Sequence, residues 1–211
     1  MRCCAPALAL LTVLAAGCGG SHPSGKGHSD PAIGSPVPSP KSTEEPKVVG
    51  RSPSVDAPFL TRIRYRLEDD TVKMAGAAAK TGSTCDRPSL PVSKGATAHC
   101  TVVYVGLRVP WTVTVQGTAS DVLVPYDATP GTGILTRAGI LRTFYVKQSP
   151  YGTDLRCADL PEKVLVPLDK RTPYRCQYTS RPGEHESAMR ITLAVIAKRT
   201  GPDFELPYDV H

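Results

Sequence analysis

Four cysteines, Cys85, Cys100, Cys157 and Cys176, carry the plainest promise of chemistry in this 211-residue chain. Thiolates hold zinc when they come in close pairs such as Cys-x-x-Cys, and no such pair occurs here. His99, adjacent to Cys100, would point to the opposite face of a strand. Disulfides are therefore the expected use, and four cysteines permit three pairings. Nucleophilic catalysis needs a nucleophile, a base and an orienting group brought together. Beyond Pro58 the only histidines are His99, His185 and His211, none inside a recognisable motif. No G-x-S-x-G elbow and no G-x-x-x-x-G-K-[ST] phosphate loop is present. The neighbouring Asp69 and Asp70 would point apart on either a helix or a strand. The expectation is a chain without catalytic residues, metal or cofactor.

Two sets of residues suit binding instead. Arg62, Arg64 and Arg66 would form a one-sided basic stripe if their segment is extended, suited to anionic wall polymers or lipid headgroups. Tyr126 and Tyr208 sit in matching Pro-Tyr-Asp triplets and are candidate contact residues. The net charge of +6 is mild, and it suggests no nucleic-acid partner.

The elements that must position these residues read twice. Phe59-Leu60-Thr61-Arg62 returns as Ile134-Leu135-Thr136-Arg137. Cys85 with Pro88 returns as Cys157 with Pro161, and Cys100 as Cys176. Asp121 to Asp127 returns as Asp203 to Asp209. Duplication selects one pairing of the cysteines, Cys85–Cys100 and Cys157–Cys176, because each copy carries two. Each bridge closes a loop of a size worth about 3 kcal/mol in the chain-entropy account. Within a copy, residues 99–105 and 111–115 are β-branched and aromatic strands around a turn at 106–110. Alternation puts Cys100, Val102 and Tyr104 on one face, with Trp111, Val113 and Val115 packed against them. Strands at 175–179 and 189–197 play these parts in the second copy. The Pro-Tyr-Asp segments would close each copy as edge strands. Leu60, Ile63, Leu67, Met74 and Ala78 have the spacing of one helical face, but residues 62–67 alternate as a strand would, and a helix is expected somewhere within 68–80. A second is expected within 134–147, on the face of Leu135, Ala138, Leu141 and Tyr145.

Ahead of the copies lie two different segments. Residues 19–58 hold eight Pro, eight Ser and six Gly with no aromatic residue. That composition predicts a disordered tether with a reach of about 35 Å. At the start, Met1-Arg2 is followed by an apolar run over residues 5–16, too short to span about 30 Å of hydrocarbon but of signal-peptide length. Leu14-Ala15-Ala16-Gly17-Cys18 resembles the lipobox of bacterial lipoproteins, with Leu14 one place further from the cysteine than usual. The resemblance implies cleavage before Cys18, a diacylglycerol on its thiol, and residence at the outer face of the cytoplasmic membrane.

Taken together, these features resemble uncharacterised lipoproteins of high-GC Gram-positive bacteria that carry a small two-cysteine domain. The carrying residues are Cys85, Pro88, Gly95, Cys100 and Thr112 to Val115, then Cys157, Pro161, Cys176 and Ile191 to Leu193. The family usually has Cys-Pro directly, and the second copy lacks the glycine. The resemblance implies place and fold more than activity.

The expected fold is α+β: a signal peptide over 1–17, a lipidated tether over 18–58, and two tandem copies over 59–130 and 131–211. Each copy is a helix on a small antiparallel sheet with one disulfide. The expected role is a membrane-anchored, non-enzymatic binding or accessory module of the envelope, its partner a cell-wall polymer or an extracellular protein. An alternative is an inhibitor of a secreted enzyme, since tandem disulfide-bearing copies are similar in architecture to β-lactamase-inhibitory proteins. Those work through an aromatic-rich face, whereas this chain has one Trp and three Phe. Hydrolysis of a wall component is a third class, and it would need His99 or His185 as a base.

Overall fold

The computed structural model describes residues 31–121, 123–183 and 187–207. Cys18, Tyr208, His185 and His211, and with them the leader and its cleavage, lie outside the described residues.

The first helix, α1 (Phe59–Ala75), buries Leu60, Ile63, Leu67, Thr71 and Met74. Their three- and four-residue spacing makes one apolar stripe. The helix stops at Gly76, whose φ of +68° is the left-handed conformation that glycine adopts without strain. Residues 62–67 are thus helical, and their strand-like alternation is a correction. Ile63 and Leu67 also satisfy the helical four-residue repeat, and burial against the sheet decides between the two periods. The helix begins nine residues before the expected 68–80 window and ends five before its close, so Ala78, expected on the buried face, lies beyond the helix and is exposed.

Strands β2 (Thr81–Cys85), β3 (Thr97–Tyr104), β4 (Leu107–Val115) and β5 (Tyr126–Pro130) form an antiparallel sheet in that order. Cys100, Val102 and Tyr104 share the buried face with Trp111, Val113 and Val115, as their alternation requires. The hairpin turn is tighter than the expected 106–110. Tyr104 pairs with Leu107, and only Val105 and Gly106, both at positive φ, make the turn.

The second half adds β6 (Gly133–Thr136), α2 (Arg137–Gln148), β7 (Gly152–Cys157), β8 (Lys163–Val166), β9 (Arg171–Ser180), β10 (Arg190–Lys198) and β11 (Gly201–Glu205). β7, β9, β10 and β11 form the second antiparallel sheet, and β6 pairs with β8. On α2 the buried residues are Gly139, Ile140 and Phe144. The expected face of Leu135, Ala138, Leu141 and Tyr145 is corrected: Leu135 is in β6, Ala138 is exposed, and Leu141 and Tyr145 are half-buried.

The fold is therefore α+β with mostly antiparallel sheets, two helices and two disulfides, Cys85–Cys100 and Cys157–Cys176. Each bridge joins residues directly opposite in a ladder, β2 to β3 and β7 to β9. Helix, cysteine-ended strand, hairpin and closing strand follow in the same order twice, with β6 and β8 as additions. Two of the four repeated sequence landmarks do not coincide in the fold. Phe59 to Arg62 opens α1, whereas Ile134 to Thr136 is strand β6. Tyr126 opens β5, whereas Pro207 follows β11, so the expected second edge strand of Pro-Tyr-Asp is not formed at Pro207.

Two cores are joined through β6. Ile134 belongs to the first core and Leu135 to the second, because successive strand residues point to opposite faces.

The proline-rich segment is corrected too. From residue 31 onward it lies against the folded body as a strap. β1 (Ser35–Pro36) pairs antiparallel with β7, and Val37 N donates to Leu155 O at 2.8 Å. The Val37 side chain enters the second core. Ile33 N donates to the Gln177 side chain, and Arg142 Nη1 donates to Glu44 O at 2.8 Å. Composition alone fails here because an edge strand supplies the hydrogen bonds and the second core supplies the burial.

Candidate functional site

The candidate arginines diverge because they lie on a helix. Residues two apart on a helix do not share a face, so no one-sided stripe forms. Arg64 turns to the β2 edge, where its Nε donates to Ser83 Oγ at 3.2 Å and its Nη2 to Ser83 O. Glu68 accepts from Ser83 Oγ at 2.5 Å and from Thr81 Oγ1 at 3.1 Å, so that edge is held by helix side chains. A cleft of about 390 Å³ beside it is lined by Leu60, Arg64, Cys85 and Pro88 among others. Its central cation is already spent on the sheet edge.

Arg66 takes the opposite side, with Nε 3.2 Å from Asp70 and Nη1 3.5 Å from Asp69. Asp70, only 13% exposed, also faces Arg199 Nη2 at 3.5 Å from the turn after β10. The Arg199 guanidinium in turn lies 5.7 Å from the centre of the Trp111 ring. Beneath it, Trp111 Nε1 donates to Thr71 Oγ1 at 3.2 Å.

Arg62 differs. Among the described residues it has no carboxylate partner, and its guanidinium stands 5.9 Å from the centre of the Phe59 ring. That ring meets Tyr126 edge-on, centroids 6.2 Å apart at 86°. Phe59, Arg62, Ile63, Leu123, Val124 and Tyr126 together line a cavity of about 240 Å³ between the first turns of α1 and the start of β5. Leu123 stands at its rim, 84% exposed. Two of the residues singled out in the sequence, Arg62 and Tyr126, are thus brought together here.

The Tyr126 hydroxyl has no hydrogen-bond partner among the described residues. Burial pushes its pKa up, the Asp70 charge pushes the same way, and Arg66 and Arg199 oppose them. The phenol therefore stays a neutral donor through the physiological range. The cavity offers an apolar floor, one cation and one hydroxyl. Among its described lining residues there is no thiol, imidazole or carboxylate.

His99, the other candidate base, is exposed on β3 with Nδ1 3.4 Å from Thr112 Oγ1, remote from this cavity's lining. Among the described residues no group of three His, Cys, Asp or Glu stands together as a metal would need. Among the described residues no helix is long and apolar enough to cross a membrane.

Sequence reasoning passed over Phe59, Leu123 and Arg199. Phe59 and Arg62, one helical turn apart, were a readable signal once α1 starts at residue 59. Leu123 stood in the apolar run Val122-Leu123-Val124. Arg199 arrives from the other half of the chain, and no local pattern announces it. No protein-family model, curated protein or solved structure matches this chain.

Proposed function

We propose that this chain is an exported, lipid-anchored accessory protein that binds a ligand of the cell envelope and does not catalyse a reaction. The cavity at the α1–β5 junction is its binding site. The observation that carries the reading is the meeting of Arg62 and Tyr126 over an apolar floor, both without polar partners among the described residues. An unpaired cation and an unpaired hydroxyl at the rim of a cavity are what a ligand of matching polarity would satisfy.

The anchor rests on the lipobox-like Leu14 to Cys18. Two or more acyl chains on Cys18 would hold the protein durably where one would not. With the strap docked from residue 31, thirteen residues carry the chain from Cys18 to the described body, a separation that covalent geometry limits to about 45 Å. The folded body then works close to the outer surface of the membrane. The recurring element order and the equivalent disulfides support reading the two halves as tandem copies of one unit.

Photo-crosslinking from position 123 on intact cells tests the site. The reading expects a discrete adduct that weakens when Arg62 is changed to Gln. Labelling no stronger than from Val55, an equally exposed valine on the strap, would remove the site from the account.

A further inference from the structure

We infer that the α1–β5 cavity takes a single-chain amphipathic anion, an alkyl chain ending in a carboxylate, with the chain on the apolar floor and the anion on Arg62. This rests on the reading that the cavity is the binding site, and it adds the class of ligand.

Three features of the site converge on that class. The floor is apolar, formed by Phe59, Ile63 and Val124, and Leu123 extends it outward into solvent. A ligand that covers Leu123 removes its apolar surface from water, which favours binding in proportion to the area covered. The volume of about 240 Å³ lies below the range that encloses a drug-sized molecule, and suits part of one chain.

Charge then selects the headgroup. Arg66 is neutralised by Asp69 and Asp70, and Arg64 is consumed by Ser83. Arg62 alone among the three is left to meet an anion. Its planar guanidinium can offer two parallel donors to a carboxylate. Its place against the Phe59 ring keeps that plane beside the apolar floor, so one ligand can reach both. The Tyr126 hydroxyl supplies a further donor within the same cavity.

The test uses sodium decanoate below its micellar range, with decanol and decyltrimethylammonium as neutral and cationic counterparts. The protein is the full mature chain bearing Cys18→Ser, so that no attached acyl group competes. Calorimetry and backbone NMR should show one saturable site for decanoate, with the largest shifts at residues 59–63 and 123–126. Arg62→Gln should weaken decanoate about ten- to a hundredfold while leaving decanol almost unchanged. Leu123→Ser should weaken both, and Arg87→Gln, a change in the lining of the cleft of about 390 Å³ beside β2, neither. Both Arg62 and Leu123 are exposed, so these variants are expected to fold, and unchanged unfolding curves will establish it. Equal affinity for decanoate and decanol, indifference to Arg62→Gln, or no saturable binding would overturn the inference. Should position 123 still crosslink on cells in that case, the site survives and only the ligand class falls.

Discussion

The Thr136 hydroxyl donates to the Ala75 carbonyl at 2.8 Å, across the junction of the two helices. The same oxygen accepts from Gly139 N at 2.9 Å and so caps α2. One buried hydroxyl therefore satisfies an orphan carbonyl at the end of α1 and an orphan amide at the start of α2. Gly139 makes the approach possible, since a Cβ there would fall 2.1 Å from Ala75 O. Together with Ile134 and Leu135 just before it, Thr136 ties the two cores to one short segment of chain.

Thr136→Val should therefore destabilise more than an ordinary cap loss. We expect about 2–3 kcal/mol, the cap together with a buried carbonyl left unpaired. Thr136→Ser should recover most of it. Urea unfolding followed by fluorescence of Trp111, the one tryptophan in the chain, reads the difference. Equal stability of the Val and Thr proteins would contradict this.

The strap depends on Gly34, which has a φ of +48°. A Cβ at that position would lie 2.0 Å from the Cys157 carbonyl oxygen, so backbone and strap cannot both keep their places. Gly34→Ala should release residues 33–37 while the body stays folded. Amide exchange at Val37, whose N–H is held by Leu155 O, should quicken about ten- to a hundredfold. Unchanged exchange at Val37 would mean that the strap is held by something else.

The two sheets protect corresponding edges by different means. On β7 the Leu155 carbonyl receives Val37 N, whereas on β2 the Ser83 carbonyl receives the Arg64 guanidinium. Arg64→Ala should cost about 1–2 kcal/mol and open β2 to pairing with another molecule. Sedimentation velocity should then show concentration-dependent association. A monomer of unaltered stability would rule out the guarding role.

Asp203 supplies a pH dependence. Burial raises its pKa, but hydrogen bonds from Lys147 and from the Phe204 amide, with the charges of Lys147 and Lys198, bring the net value below the ordinary 3.8. A carboxylate depressed in the fold stabilises above its ordinary pKa, and that contribution fades as pH falls through the folded value. The Lys147–Asp203 pair, at 2.7 Å, is more than a third exposed on both sides, so screening keeps its worth small. Asp203→Asn should cost about 0.5 kcal/mol at neutral pH and nothing once the pH is below the folded pKa. A constant difference across that range would show that the charge is not the cause.

Much of this architecture was readable where a pattern is local. The alternation of residues 99–105 announced the buried face of β3, and cysteine placement announced both bridges. Other features depend on distant partners. Residues 62–67 fit two periods equally, and only the sheet beneath α1 selects the helical one. Gly34 to Val37 reads as linker because its stability is borrowed from β7, more than 100 residues away. The candidate cavity was half legible: Arg62 and Tyr126 were visible as types, but their meeting required the fold. What separates Arg62 from Arg64 and Arg66 is the partner each finds in three dimensions.

The reading as a whole turns on where the protein is held. Intact-mass and N-terminal peptide mass spectrometry of the protein from the membrane fraction is the most direct measurement. The expected result is a mature chain beginning at Cys18, its mass raised by a diacylglyceryl group on the thiol, with no unmodified form in the culture fluid. A mature chain beginning elsewhere, or an unacylated protein released to the medium, would contradict it.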